Sequence, residues 1–242
     1  MANLDSTSLF KIENLFKNFG KIAAISNLNL SLPENSILGV LGPNGSGKST
    51  LFKMISGLLP FDKGKITFKN EKIQKYQTKI GYCPQTPVFW KNLKAIEQLE
   101  FYADLYKIPK KIANQQIEYL TDILKLQEKI YTYTEHLSGG MKQRLNIAVS
   151  IIHQPKILLF DEPTANLDFE SKIYVNQLIQ SLSKKNNLTI LLSTHEFAEI
   201  ESLITHMIIL KNGVNQYFQT FASNDAEQNQ VKKLFLEHTN QN

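Results

Sequence analysis

The stretch Gly42-Pro43-Asn44-Gly45-Ser46-Gly47-Lys48-Ser49-Thr50 decides the fold class, because it satisfies the pattern G-x-x-x-x-G-K-S/T in full. A strand-length apolar run precedes it at 37–41, and a plausible helix start follows it at 51–55. Glycines let the backbone curl so that successive N–H groups face one anion, and the helix N-terminus adds partial positive charge. We therefore predict that residues 42–50 bind the phosphates of a nucleoside triphosphate. Lys48 would reach the β- and γ-phosphates, and Ser49 would hold Mg²⁺.

A second strand-length apolar run, at 157–160, ends in two acids, Asp161 and Glu162. Acids at the carboxyl end of a parallel strand lie where ligands bind in open α/β sheets. Asp161 is predicted to organise the Mg²⁺ shell, and Glu162 to orient or deprotonate an attacking water. The alternative is an exposed acidic turn at a strand end. The phosphate loop upstream favours the catalytic interpretation.

Composition places the chain among ordinary globular proteins, with 242 residues, 42% hydrophobic and 20% charged. The net charge of +5, from 27 basic and 22 acidic residues, is modest, and the basic residues are scattered. This pattern favours a solvated surface over a nucleic-acid groove, so we expect no nucleic-acid partner. The positive excess could also favour a position near an anionic membrane surface.

The sequence predicts a cytoplasmic protein. Cys83 is the only cysteine, so an intrachain disulfide is impossible, which suits a reducing compartment. The first residues lack the basic start and apolar stretch of a secretory signal. No stretch approaches the roughly 20 apolar residues that span a bilayer. If the protein works at a membrane, another chain is expected to supply the spans.

The order of periodic patterns predicts an α/β protein with one inserted helical lobe. Residues 27–32 alternate like a half-buried strand, whereas 87–152 show mostly helical periodicity before strands resume at 157. Asn212-Gly213 predicts a hairpin turn. The expected organisation is a single domain over 1–242, with a core at about 1–86 and 153–220, a helical subdomain at about 87–152 and a C-terminal helix at about 224–237.

The segment Leu137-Ser138-Gly139-Gly140-Met141-Lys142-Gln143-Arg144 resembles the signature sequence of ATP-binding cassette (ABC) proteins. Ser138 is placed to cap a helix, and Gly139 and Gly140 leave N–H groups exposed at its positive end, which favours a second anion site. The resemblance implies a head-to-tail dimer in which each signature closes on the partner's ATP. Simple N-capping of the following helix is the alternative.

Four further residues resemble positions of the same family. Gln85 is similar to the glutamine that senses Mg²⁺ and γ-phosphate, and Asp168 to an aspartate at the dimer interface. His195 resembles the switch histidine that contacts γ-phosphate, and Phe19 the aromatic that stacks on adenine. By this resemblance, the catalytic residues would be Glu162, His195 and Lys48. The metal site would comprise Ser49, Gln85 and Asp161.

The resemblance implies a P-loop NTPase (RecA-like) core with a mainly parallel sheet, an antiparallel β subdomain and an inserted α-helical subdomain. It also implies ATP and Mg²⁺ as cofactors and an integral membrane permease as partner. Pairing would be with a second copy or with a related ATPase subunit, at the inner face of the cell membrane. The continuation Met141–Arg144 is similar to the branch that exports drugs, antibiotics, lipids or polysaccharides. Met141 and Ala165 depart from the commonest family residues, glutamine and serine.

Other functions fit the sequence less well. A soluble cassette ATPase acting on a non-transport partner remains the main alternative. A catalytically silent cassette would lack Lys48, Glu162 or His195, and a kinase or GTPase would leave the signature unexplained. Phe89 and Trp90, in a segment that favours loop over helix, are predicted either to dock the permease or to fill the core of the helical lobe.

Overall fold

The computed structural model describes residues 10–165, 167–186 and 188–220. Its strands, in chain order, are β1 (Phe10–Phe19), β2 (Ile22–Leu32), β3 (Ile37–Leu41), β4 (Lys63–Phe68), β5 (Glu71–Lys72), β6 (Ile80–Cys83), β7 (Ile157–Asp161), β8 (Thr189–Thr194), β9 (His206–Lys211) and β10 (Val214–Thr220). Its α-helices are α1 (Lys48–Ile55), α2 (Ala95–Leu105), α3 (Lys110–Ile123), α4 (Gly139–Ile151) and α5 (Phe169–Asn186).

The central sheet carries the phosphate loop and the two acids. Its strand order is β10-β9-β3-β8-β7-β6, with parallel pairing from β9 to β6 and an antiparallel β10 at one edge. Every residue of β3, β7 and β8 is buried, as expected of strands covered on both faces. Because these strands are parallel, the ends of β3, β7 and β8 bring residues 42, 162 and 195 to one edge of the sheet.

A smaller antiparallel sheet, ordered β2-β1-β4-β5, shares an apolar core with helix α1 and one face of the central sheet. Alternate residues of β2, namely Leu28, Leu30 and Leu32, point into this core, as the sequence predicted. The hairpin between β9 and β10 turns at Asn212 and Gly213, which both have positive φ, of 51° and 74°. Its Gly213 N–H donates to the Ser46 carbonyl, so this turn braces the phosphate loop.

Helices α2, α3 and α4 lie between β6 and β7 in the chain and form the helical part of the molecule. Their apolar faces share a second core with the other face of the central sheet, in which Leu99, Leu120 and Leu145 pack with Leu158 and Phe160. The predicted class, a mainly parallel core with an antiparallel sheet and an inserted helical lobe, is confirmed. The C-terminal helix predicted at about 224–237 lies outside the described residues.

Within residues 10–165, 167–186 and 188–220, every helix falls short of the length or the apolar content needed to cross a membrane.

Candidate functional site

The phosphate loop is shaped by glycines that no other residue could replace without strain. Gly42 and Gly47 have φ values of 156° and 106°. A Cβ added to Gly42 would lie 2.2 Å from the Leu210 carbonyl oxygen, and one on Gly47 would lie 2.4 Å from that of Ala24. The backbone therefore curls tightly between β3 and α1, and the first turn of α1 points its N–H groups into the loop.

Lys48 begins α1 and reaches back across this loop. Its ammonium donates to the carbonyl oxygens of Gly42, at 2.8 Å, and Pro43, at 3.2 Å. It also lies 3.4 Å from the Glu162 Oε1 atom, and only 4% of the side chain is exposed. The loop thus holds a buried positive charge where a phosphate chain would enter. Ser46, also in this loop, has a buried hydroxyl that has no hydrogen-bond partner among the described residues.

Asp161 ends β7 and is held from three sides. Ser49 donates to its Oδ1 at 3.1 Å, Ser193 donates to the same atom at 2.7 Å, and the Tyr82 hydroxyl donates to Oδ2 at 3.2 Å. Burial, together with the charge of Asp161, raises the pKa of Tyr82, so the phenol stays a donor at neutral pH. Carboxylate and hydroxyl oxygens are the ligands that Mg²⁺ prefers. Ser49 and Asp161 therefore fit a magnesium site.

Glu162 is the meeting point of the predicted catalytic residues. Gln85 donates its Nε2 to Glu162 Oε2 at 2.9 Å, His195 Nδ1 lies 3.5 Å from that oxygen, and Lys48 approaches the other oxygen. The backbone of Glu162 has a positive φ of 48°, which turns the chain sharply at the end of β7. The Glu162 carboxylate, the Gln85 amide, the His195 imidazole and the Lys48 ammonium therefore lie together at the mouth of the phosphate loop.

Two residues of this site, Ser193 and Tyr82, were not predicted from the sequence. Ser193 pairs with Asp161 across the parallel strands β7 and β8, and its hydroxyl also accepts the Glu162 N–H at 3.0 Å. Tyr82 comes from β6, on the other side of β7. The only signal in the sequence was their position near the carboxyl ends of predicted strands, and that signal does not say which strands are neighbours.

The signature residues lie at the start of α4. Ser138 is the N-cap, with an extended backbone, and its hydroxyl accepts the Met141 N–H at 3.2 Å. A Cβ added to Gly139 would meet open space, so its backbone is accessible to a ligand. Capping, the simpler interpretation, does occur, and it leaves Gly139 free to approach a second molecule.

Asp168 lies beside this helix start. Its carboxylate accepts the Ser171 N–H at 2.9 Å and the Ser171 hydroxyl at 2.8 Å, which caps α5. These two hydrogen bonds hold the pKa of Asp168 below its ordinary value. A Cβ on Gly140 would lie 2.8 Å from the same Ser171 hydroxyl. The starts of α4 and α5 therefore form one surface that carries both the signature and Asp168.

Phe19 ends β1 and leads into the turn at Gly20 between β1 and β2, and the residue is 49% exposed. The Lys17 ammonium lies 5.5 Å from its ring centroid. The following strand, β2, passes the phosphate loop at Ala24, whose carbonyl faces Gly47. Phe19 is thus an exposed aromatic at the tip of a hairpin that runs past the loop.

The predicted residues therefore fall into groups. Lys48, Ser49, Gln85, Asp161, Glu162 and His195 share one network at the carboxyl edge of the central sheet. Ser138, Gly139, Gly140 and Asp168 share a separate surface at the starts of α4 and α5. The first group also includes the remaining loop residues Pro43, Asn44, Gly45 and Thr50. Phe19 lies apart from both groups, on the hairpin formed by β1 and β2.

The two aromatics of the segment after Gln85 differ in their surroundings. Phe89 is partly buried and packs on the core of the helical lobe, whereas Trp90 is 46% exposed. Trp90 stacks edge-to-face on Phe101 of α2, with ring centroids 4.5 Å apart, and Phe101 is itself 41% exposed. Trp90 and Phe101 therefore form an exposed apolar surface, which we call the aromatic patch.

The chain is similar to known ATP-binding proteins of transporters. The ABC transporter family model matches residues 25–165. The linearmycin resistance ATP-binding protein LnrL of Bacillus subtilis is 34% identical over 213 residues, covering 85% of this chain and 67% of that protein. The bacitracin transport ATP-binding protein BcrA of Bacillus licheniformis is 36% identical over 213 residues, covering 86% and 68%.

A solved structure shares the architecture as well. The dimeric structure of a bacterial ABC transporter cassette matches with a TM-score of 0.81 and 25% identity, over 89% of this chain and 100% of that one. The same cassette has been solved as a dimer in a post-hydrolysis state bound to ADP and Pi. With the family model matching more than half of its length and these relatives above 30% identity, the chain belongs to the family of ABC transporter ATP-binding proteins.

Proposed function

We propose that this chain hydrolyses ATP with Mg²⁺ and thereby drives a separate integral membrane permease from its cytoplasmic side, as part of an exporter. The observation that carries the proposal is the position of Glu162, which lies within 3.5 Å of Lys48, Gln85 and His195 at the mouth of the phosphate loop. A buried strand end that collects these four groups suits phosphoryl transfer to water better than a structural role.

Each residue has a distinct part in the proposed reaction. Lys48, now paired with the Glu162 carboxylate, would exchange this partner for the β- and γ-phosphates. Ser49 and Asp161 would hold Mg²⁺, which neutralises developing charge on the phosphate oxygens. Glu162 would then be free to orient the attacking water and accept its proton, while His195 and Gln85 would contact the γ-phosphate side.

Hydrolysis is proposed to need two chains. The open space at Gly139 and the N-terminal end of α4 suit an anion from another molecule, and the solved dimers of a related cassette support pairing. In the proposed dimer, Ser138, Gly139 and Gly140 of each protomer would close on the partner's ATP, with Asp168 at the interface. The partner would be a second copy of this chain or a related ATPase subunit.

The exporter assignment is supported by the relatives named for linearmycin resistance and bacitracin transport. The aromatic patch is proposed as the permease contact, because exposed aromatic rings bury much area at little entropic cost on binding. Phe19 is proposed to stack on adenine, since its ring is exposed on the hairpin beside the loop.

The test is Mg²⁺-dependent release of phosphate from ATP by purified protein. Glu162→Gln keeps the size of the side chain but removes the base, so turnover should fall by about 10²-fold or more. Glu34→Gln, which alters an exposed ion pair with Lys69, is the control and should hydrolyse ATP like the wild type. A Glu162→Gln protein with the wild-type rate would contradict the proposal.

A further inference from the structure

Glu199 is a largely buried carboxylate outside the motifs that define the site. It ends a short 3₁₀ turn, Phe197–Glu199, that follows β8, and its side chain is only 14% exposed. A charge removed from water to this extent costs free energy unless it is paired and hydrogen-bonded. The hydrogen-bond and ion-pair partners of Glu199 therefore indicate its role in the structure.

Glu199 contacts three separate segments of the chain. Its Oε1 pairs with the Lys172 ammonium at 2.6 Å. Its Oε2 accepts the hydroxyls of Thr164, at 2.9 Å, and Thr194, at 3.1 Å. Its backbone carbonyl accepts the Asn176 amide at 2.9 Å. Burial works to raise the pKa of Glu199, but the hydrogen bonds from Lys172 and Thr164 outweigh it and hold the pKa below the ordinary value.

Two of these segments carry the proposed catalytic residues. Thr164 lies two residues after Glu162, in a tight turn closed by the Ala165 N–H and the Glu162 carbonyl. Thr194 directly precedes His195 and ends β8. A single carboxylate oxygen of Glu199 thus binds both the segment that carries the candidate base, Glu162, and the segment that carries the candidate switch histidine, His195. It thereby fixes the spacing between these two segments.

The third segment that Glu199 contacts is the start of α5, which lies beside the signature residues. Lys172 lies in the first turn of α5, and its N–H donates to the Asp168 carbonyl at 3.0 Å. The preceding residue, Ser171, binds the Asp168 carboxylate and lies against Gly140. The start of α5 is therefore in contact with the signature on one side and with Glu199 on the other.

We propose that Glu199 is a positioning residue that couples the signature surface of each protomer to the hydrolytic residues of the same protomer. This inference rests on the proposed function. When the partner's ATP docks at Ser138–Gly140, the start of α5 takes up a defined position. The short ion pair between Lys172 and Glu199 transmits that position to Thr164 and Thr194, and so to Glu162 and His195.

The experiment separates this coupling from nucleotide binding and from folding. Glu199→Gln keeps an oxygen that can accept hydroxyl hydrogen bonds but loses the ion pair, and Lys172→Met removes the same ion pair from the other side. In both variants kcat for ATP should fall about tenfold, whereas ATP affinity of the monomer should change less than about twofold. Lys172→Arg, which can keep the ion pair, should restore most of the activity.

Two further measurements exclude a merely structural role. Glu201→Gln removes a carboxylate two residues along the same segment and should keep wild-type kcat. The double variant Glu162→Gln/Glu199→Gln should still form an ATP-dependent dimer, because the signature and the phosphate loop are intact. Wild-type kcat in Glu199→Gln, or parallel loss of ATP affinity and dimer formation, would overturn the coupling role. A wild-type protein without ATPase activity would instead overturn the proposed function itself.

Discussion

Ser193→Ala tests the part of the site that the sequence did not reveal. Ser193 is fully buried, donates to Asp161 Oδ1 at 2.7 Å and accepts the Glu162 N–H at 3.0 Å. The Glu162 N–H keeps a second acceptor, the Ser193 carbonyl at 3.2 Å, so the substitution mainly removes one hydrogen bond to a buried carboxylate. Such a bond contributes about 2 kcal/mol.

The expected loss in the free energy of unfolding is therefore about 2 kcal/mol for the nucleotide-free protein, measured by urea unfolding. Mg²⁺-dependent ATP hydrolysis should fall as well, because Asp161 Oδ1 loses one of the two hydroxyls, those of Ser49 and Ser193, that donate to it. Ser56→Ala is the control, since it removes an exposed hydrogen bond to the Lys53 carbonyl and should cost less than about 0.5 kcal/mol. Equal stability of Ser193→Ala and the wild type would refute the claim that this hydroxyl organises the acids.

Three further predictions address binding, pH and docking. Lys48→Ala should weaken ATP binding in a titration with Mg²⁺, because the phosphates lose the buried ammonium; unchanged affinity would contradict the loop assignment. Burial holds the pKa of His153 at about 4 in the folded protein, against 6.5 when unfolded, so its contribution to stability is complete above pH 6.5 and is lost as the pH falls toward 4. His153→Gln should flatten that decline in urea unfolding across pH 4 to 6.5, and an unchanged slope would refute it. Trp90→Ala should keep ATP hydrolysis by the isolated subunit but weaken assembly with the permease. Tyr131→Ala, another exposed aromatic, should not, and unfolding of Trp90→Ala or unaltered assembly would contradict docking at the aromatic patch.

The local parts of the site could be predicted from the sequence because their chemistry depends on adjacent residues. The glycines and Lys48 of the phosphate loop, and the acids at the end of β7, are defined by short-range spacing. Their positions relative to strands β3 and β7 followed from the apolar runs before them. The succession of strands and inserted helices along the chain was also predicted correctly, because each element is defined by a local pattern.

The contacts between distant segments could not be predicted in this way. The pairing of Asp161 with Ser193 depends on the order of strands in the sheet, which periodicity does not give. The contacts of Glu199 with Lys172 and Thr164 join residues that are 27 and 35 positions apart in the chain. The sequence likewise left open whether Phe89 and Trp90 face the core or solvent, and the structure assigns them differently.

The most direct test of the proposed composite site is the size of the Glu162→Gln protein in solution with ATP. Because this variant should bind ATP without hydrolysing it, the nucleotide should hold two protomers together, and light scattering should give a mass of about twice 27.7 kDa. Adding Gly139→Asp places a negative side chain where the partner's phosphate should dock, so that double variant should bind ATP and remain a monomer. A Glu162→Gln protein that stays monomeric at saturating ATP, or a double variant that still dimerises, would contradict the account.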